Sequence, residues 1–318
     1  MTVSAGLDRF RKNKDEQSVN TSQQEFHSGF VAIIGRPNVG KSTLLNRILG
    51  QKIAITSDKP QTTRNRILGI HNLPDAQVLF LDTPGIHKAK GRLNRFMVDQ
   101  ALAACSEVDA VLFLVEATDA PGGGDQYVLD LLARGRAPII LALNKVDLIS
   151  PPELLPLMAA YGERFDFQDI IPVSGRTGEG VDALLESVRR VLPTGPRYYP
   201  EEMVTDLPER FIVAEMVREQ VLRQTRAEIP YGVAVTVEGF REEPEKSLVV
   251  INAVIHVERD SHKRIIVGKG GAMIRTIGRL ARKEIERFLD SRVYLELFVR
   301  VEKNWTDSQR LLREFGYE

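Results

Sequence analysis

Phe30-Val31-Ala32-Ile33-Ile34-Gly35-Arg36-Pro37-Asn38-Val39-Gly40-Lys41-Ser42 is a short apolar run that ends in the pattern G-x-x-x-x-G-K-S. Thr43-Leu44-Leu45-Asn46-Arg47-Ile48-Leu49 follows as a helical segment. Strand, glycine-bounded loop and helix in that order make a phosphate cradle. The glycines let successive backbone N–H groups turn inward, and the helix N-terminus adds partial positive charge. Gly35, Arg36, Pro37, Asn38, Val39, Gly40, Lys41, Ser42 and Thr43 are therefore the expected phosphate-contacting set. Lys41 would reach the outer phosphates of a nucleoside triphosphate, and the Ser42 hydroxyl would bind Mg²⁺.

Three downstream segments select the nucleotide. Asp82-Thr83-Pro84-Gly85 follows the apolar run Val78-Leu79-Phe80-Leu81, with Ile86 next. At a strand end after a phosphate loop, Asp82 supplies a carboxylate for the magnesium shell, and the Gly85 N–H is free to approach a γ-phosphate. Asn144-Lys145-Val146-Asp147 ends the apolar run Ile139-Ile140-Leu141-Ala142-Leu143. The Asp147 carboxylate is acceptor-only and fits the N1–H and N2–H₂ donors of guanine, a pair that adenine lacks on that edge. Ile171-Pro172-Val173-Ser174-Gly175 ends a further strand, where backbone N–H groups could meet guanine O6. Guanine is the expected base.

The chain has 318 residues, enough for two domains with separate cores. Its formal net charge is zero, so any polyanion must be bound by a local patch. A single cysteine, Cys105, excludes an internal disulfide framework, which fits a reducing compartment. No apolar run approaches the roughly 20 residues of a membrane span. Histidine spacing offers no zinc site. Residues 1–28 are polar and of mixed charge, and read as a disordered tail rather than a signal peptide.

From 29 to 194 apolar strands alternate with helical patterns, predicting an α/β domain with a mostly parallel sheet. Residues 51–66 and 85–100 are polar and read as contact-poor switch segments sensing the γ-phosphate. A proline-rich linker occupies 195–207. Residues 208–318 read as helix, strand, strand, helix, helix, strand, an α+β domain.

Within that second domain lies Gly268-Lys269-Gly270-Gly271, a G-x-x-G loop at the start of a helix over 272–289. Such a loop clamps the backbone of single-stranded nucleic acid in KH domains. The helix carries Ile274, Ile277, Ala281, Ile285 and Phe288 as a core stripe, with Arg275, Arg279, Arg282, Lys283 and Arg287 off it. From Arg259 to Arg287, nine basic residues face three acidic ones, a local charge of +6 in a neutral chain. Gly268, Lys269, Gly270, Gly271, Arg275, Arg279 and Lys283 are the candidate RNA contacts. Trp305 reads as packed rather than stacked on a base.

Together, G-x-x-x-x-G-K-S, D-T-P-G, N-K-x-D and S-G resemble the GTP-binding domain of translation-factor-related GTPases. Lys59-Pro60-Gln61-Thr62-Thr63-Arg64-Asn65 resembles the Q-T-T-R switch of the bacterial Era family, in the TrmE-Era-EngA-like class. The domain order is that of a P-loop GTPase followed by a type II KH domain, and the resemblance runs from about residue 29 to 318. It implies that Thr63, with Thr62 the alternative, completes a magnesium shell with Ser42 and Asp82, and that Lys41, Thr63 and Gly85 serve catalysis. It further implies a GTP-hydrolysing switch that binds 16S ribosomal RNA near its 3′ end and acts in small-subunit assembly in the cytoplasm, as a monomer, with weak peripheral association at the inner membrane face as an added expectation. Asn38 resembles the asparagine of potassium-activated GTPases, which makes K⁺ a further candidate cofactor. Ile86 stands where Ras-like proteins carry a water-orienting glutamine, so slow intrinsic turnover is expected. The competing readings are an RNA-binding module with structural GDP and a membrane-surface GTPase.

Overall fold

Alternation along one strand divides the first core in two. In β1 (His27–Gly35) Val31 and Ile33 face one side, Ala32 and Ile34 the other, and all four are fully buried. A strand apolar on both faces belongs in a sheet covered on both sides. The computed structural model describes residues 25–86, 91–226 and 229–317, and in it β1 lies inside a six-stranded sheet of order β2-β3-β1-β4-β5-β6. The other strands are β2 (Ile67–Asn72), β3 (Ala76–Asp82), β4 (Ala110–Glu116), β5 (Ile139–Asn144) and β6 (Asp169–Pro172). All pairings are parallel except that of β2 with β3.

Helices α1 (Lys41–Leu49) and α5 (Val181–Val191) bury Leu44, Leu45, Leu184 and Val188 against the Val31/Ile33 face. The Ala32/Ile34 face is covered by α2 (Arg92–Ser106), α3 (Gly123–Leu132) and α4 (Pro151–Gly162). Every parallel strand thus ends at one edge, where the sequence motifs cluster as loops.

The second unit is built on a three-stranded sheet, β7 (Val233–Glu243), β8 (Leu248–Val257) and β9 (Arg292–Val301), with β7 antiparallel and β9 parallel to β8. Helices α6 (Glu209–Gln224), α7 (Asp260–Val267) and α8 (Ala272–Leu289) pack on it through Val213, Val217, Ile266, Ile277, Ala281 and Ile285. This is the helix-strand-strand-helix-helix-strand order expected. Of the anticipated stripe on α8, Ile277, Ala281 and Ile285 are buried while Ile274 and Phe288 are half-buried.

Three expectations need correcting. His27 and Ser28 already belong to β1, inside the segment read as tail, and residues 1–24 lie outside the described ones. The 195–207 connection is not a free tether. Gln77 donates to the Tyr199 carbonyl at 2.9 Å and accepts from the Tyr198 and Tyr199 N–H groups at 2.8 and 3.0 Å. Ile70 N–H donates to Val204 O at 2.8 Å, and Thr205 Oγ1 to Leu68 O at 2.6 Å. Backbone polar groups beside a sheet are satisfied by docking there, so the prolines bend the connection without detaching it.

The third correction concerns 51–66, which is not contact-poor: it is held by the second unit. Arg64 is buried and donates to the carbonyls of Val233, Pro230 and Tyr231. The 85–100 stretch passes into α2, whose Leu93 and Met97 share a buried cluster with Trp305, Leu312, Phe315 and Tyr317; residues 87–90 lie outside the described ones. A short helix, α9 (Gln309–Glu314), frames that cluster. Trp305 is fully buried and its indole N–H donates to Gly232 O at 3.0 Å, packed as expected. Cys105 is half-buried, with its thiol pushed up to about 12 by burial, which disfavours the reactive thiolate.

Candidate functional sites

The phosphate loop is shaped by steric necessity. Gly40 has φ 99°, and a Cβ there would lie 2.3 Å from Asn144 Nδ2. Only glycine tolerates both the left-handed backbone and the approach. Lys41 is buried and its ammonium donates to Gly35 O at 3.1 Å and Arg36 O at 2.9 Å, bridging the two ends of the loop. Burial lowers its pKa to about 8, opposed by the nearby Asp82 carboxylate. Arg36 turns outward and pairs with Asp125 at 2.7 Å and Asp119 at 3.1 Å, fixing the loop to α3. Val39 is buried in the sheet core, while Pro37, Ser42 and Thr43 line the cleft.

Three oxygens converge at the start of α1. Ser42 Oγ donates to Asp82 Oδ2 at 2.6 Å and lies 2.8 Å from Thr63 Oγ1. Asp82 is wholly buried, and burial raises its pKa to about 6 against the pull of Ser42 and Lys41. Its Oδ1 has no hydrogen-bond partner among the described residues. Two hydroxyls and a carboxylate with a spare buried oxygen form a hard-donor set of the kind Mg²⁺ takes, with water and phosphate completing it. Thr62, the alternative ligand, spends its hydroxyl on Lys59 O at 2.6 Å within its own loop.

Gly85 approaches the phosphate loop so closely that a Cβ would sit 2.6 Å from Pro37 N. Ile86 N–H donates to Gly35 O at 3.1 Å and its side chain is buried, facing no reacting group. Thr83 and Pro84 are buried too, with the Thr83 hydroxyl donating to Ile33 O at 2.8 Å. Thr83, Pro84 and Ile86 thus brace the site rather than act in it. The cleft bounded by the phosphate loop, residues 55–58 and 61–63, Gly85 and Lys145 measures about 410 Å³.

At the base-recognition end Asn144 is a staple. Its Nδ2 donates to Val39 O at 2.7 Å and its Oδ1 accepts from Gly175 N–H at 2.9 Å, joining the phosphate loop to the Ser174–Gly175 turn. Lys145 takes left-handed φ 68° and pairs with Glu116 at 2.7 Å. Asp147 accepts from Ser174 Oγ and pairs with Arg176, both at 2.5 Å, and the Ser174 bond leads in holding its carboxyl below the ordinary range. It is ionised and acceptor-only at neutral pH.

The second site sits between α7 and α8. Gly268, Gly270 and Gly271 all have positive φ, of 72°, 56° and 78°. A Cβ on Gly268 would meet Met273 N and Cβ at 2.8 Å, so the turn requires that glycine. Lys269 stands exposed at its tip, and Arg275, Arg279 and Lys283 are exposed along α8. The loop and one helix face thus present cations beside backbone N–H groups, suited to a phosphodiester strand.

Sequence reasoning missed Arg64, Arg218 and Glu219, which join the two sites. Each is a charged residue in a segment that reads as solvated. The signal lay in α6, where Glu215, Arg218 and Glu219 fall at helical spacing opposite its apolar face.

A family described as 50S ribosome-binding GTPases matches residues 30–145, and the KH domain family matches residues 228–306. GTPase Era of Geobacter metallireducens is 59% identical over 296 residues, 93% of this chain and 99% of that protein. The chain belongs to the Era family of GTPases. GTPase Era of Geotalea daltonii is 58% identical over 93% of this chain and all of its own length. Two Era crystal structures share the whole fold at TM-score 0.89 and 39% identity, each covering 92% of this chain and 99% of its own. One is an Aquifex aeolicus Era variant bound to GDP and AlF₄⁻; the other is Era with MgGDPNP and nucleotides 1506–1542 of 16S ribosomal RNA. As an Era-family enzyme, the chain hydrolyses GTP. Among the described residues no helix is long and apolar enough to cross a membrane.

Proposed function

We propose that this GTPase is a switch whose GTP-bound form grips the single-stranded 3′ end of 16S ribosomal RNA during small-subunit assembly in the cytoplasm. The observation that carries the reading is Thr63 Oγ1 resting 2.8 Å from Ser42 Oγ, in a segment anchored to the domain that bears the G-x-x-G loop. A γ-phosphate sensor is thereby tied to an RNA clamp. A structural GDP site needs no such sensor. The rival lipid-binding role lacks an apolar anchor on α8, because Ile277, Ala281 and Ile285 are spent on the core.

Ser42, Thr63 and Asp82 would hold Mg²⁺, which would supply positive charge against that building on the β- and γ-phosphates. Lys41 and the Gly85 N–H stabilise the outer phosphates, and Asp147 reads guanine with Asn144, Lys145, Ser174 and Gly175 framing the base. The Asn38 amide donates to Asp58 O at 2.9 Å, from the phosphate loop to the switch segment. Those two groups supply the oxygens that a K⁺ ion beside the phosphates would use. Gly268, Lys269, Gly270, Gly271, Arg275, Arg279 and Lys283 clamp the RNA backbone.

Fluorescence anisotropy with a labelled RNA of the 16S 3′-terminal sequence tests the reading. Affinity should be roughly tenfold higher with a non-hydrolysable GTP analogue and Mg²⁺ than with GDP. Gly268→Ala should lose the RNA and keep GTP hydrolysis. Equal RNA affinity in both nucleotide states would remove the switch.

A further inference from the structure

The Q-T-T-R segment is gripped on both sides of Thr63 by the RNA-binding domain. On one side Arg218 of α6 donates from Nη2 to both the Thr62 carbonyl and Glu215 Oε2, the latter at 2.5 Å, while Nε donates to Glu215 Oε1 at 2.6 Å. On the other, Arg64 enters a socket in which Nη1 donates to Val233 O at 2.7 Å and Nη2 to Tyr231 O at 2.9 Å. The Trp305 and Tyr317 rings flank it, with centroids 5.7 and 5.6 Å from its guanidinium carbon. Both arginines are wholly buried.

Burying a guanidinium costs stability unless every donor is met. Here Arg218 Nη1 and Arg64 Nε have no partner among the described residues. Packing therefore does not explain the pair, but their shared neighbour does. Thr62 and Arg64 flank Thr63, and fixing both neighbours fixes where the Thr63 hydroxyl points.

The grip also connects to the RNA face. Lys52 pairs with Glu284 of α8 at 2.5 Å and with Glu219, and Glu219 accepts from Thr56 N–H at 2.8 Å. The helix carrying Arg275, Arg279 and Lys283 thus shares with α6 the hold on the start of the switch segment, and α6 also holds Thr62 near its end.

We propose that Arg218 and Arg64 are positioning residues for GTP hydrolysis, a clamp by which the RNA-binding domain sets Thr63 against Mg²⁺ in cis. The proposal rests on the GTP-site reading above. It assigns to the second domain part of the work that activating proteins do in trans, and it makes GDP binding independent of the clamp, since GDP needs no Thr63.

The test uses the full chain with Arg218→Lys. A single ammonium has no second nitrogen to hold Glu215 bidentately and so cannot aim a donor at Thr62 as the planar fork does. GDP affinity should stay within about twofold, single-turnover hydrolysis should slow about tenfold, and the Mg²⁺ concentration for half-maximal rate should rise. A purely structural residue would not move the Mg²⁺ requirement. Arg64→Met, which fills the socket with an unbranched apolar chain, should behave alike and decides the matter if Arg218→Lys fails to bind GDP. Wild-type rates and Mg²⁺ dependence in a GDP-competent variant would overturn the clamp. Absence of hydrolysis in the parent protein would instead overturn the site reading.

Discussion

Asp82 and Lys41 meet in one buried site with their protonation shifted toward each other. Asp82 titrates at about 6, above the ~3.9 of a free aspartate, so the folded protein loses stability as pH rises between those values. Lys41 titrates at about 8, below the usual ~10.4, so it destabilises the fold as pH falls through that window. Both costs fall on the charged forms, which Mg²⁺ and phosphate require. Capture of Mg·GTP should then be bell-shaped, with kcat/KM falling below about pH 6 and above about pH 8. Bound Mg²⁺ lowers Asp82 and bound phosphate raises Lys41, so kcat should vary over a wider window, because it reports the complex. Steady-state rates from about pH 5 to about pH 9 check this; a kcat/KM flat through pH 6 would mean that Asp82 is already ionised in the free enzyme at that pH.

Between elements, the contact that matters most is the one from the phosphate loop to the switch segment, Asn38 Nδ2 to Asp58 O. Asn38 itself takes left-handed φ 67°, a strained posture that asparagine tolerates better than most residues. With Ile86 buried, no glutamine stands after Gly85 to orient the water, so extra positive charge beside the phosphates has a clear task. Hydrolysis should run at least severalfold faster in KCl than in NaCl at equal ionic strength, and Asn38→Ala should erase the difference; equal rates in the two salts would leave Asn38 a loop staple. The same elements show what a sequence discloses. Gly40, Asn144 and Gly268 were legible because a local backbone conformation or a close approach admits one residue type. Arg64, Arg218 and Glu219 were not, because their partners lie more than 150 residues away in the chain. A buried charge looks in sequence like a solvated one. The docked 195–207 connection was hidden for the same reason: its prolines mark a bend, but its hydrogen bonds belong to β2 and to Gln77.

At the scale of the molecule, the two domains meet through a buried apolar cluster and a buried arginine, not a flexible hinge. Leu93 and Met97 of α2 pack with Trp305, Phe315 and Tyr317, while Arg64 lies against the same rings. The switch proposed above would therefore pass from nucleotide to RNA through this one seam. By linkage, the factor by which a GTP analogue tightens RNA must equal the factor by which RNA tightens the analogue. Trp305 is the sole tryptophan and sits in the seam, so its emission reports docking without a label. With Mg²⁺ and a GTP analogue, emission should be blue-shifted and poorly quenched by acrylamide. With GDP, Thr63 has no metal to hold, Arg64 is freer to leave its socket, and emission should shift red with stronger quenching. Arg64→Met should uncouple the spectrum from the nucleotide, while identical wild-type spectra in both states would show that the seam stays closed throughout the GTP cycle.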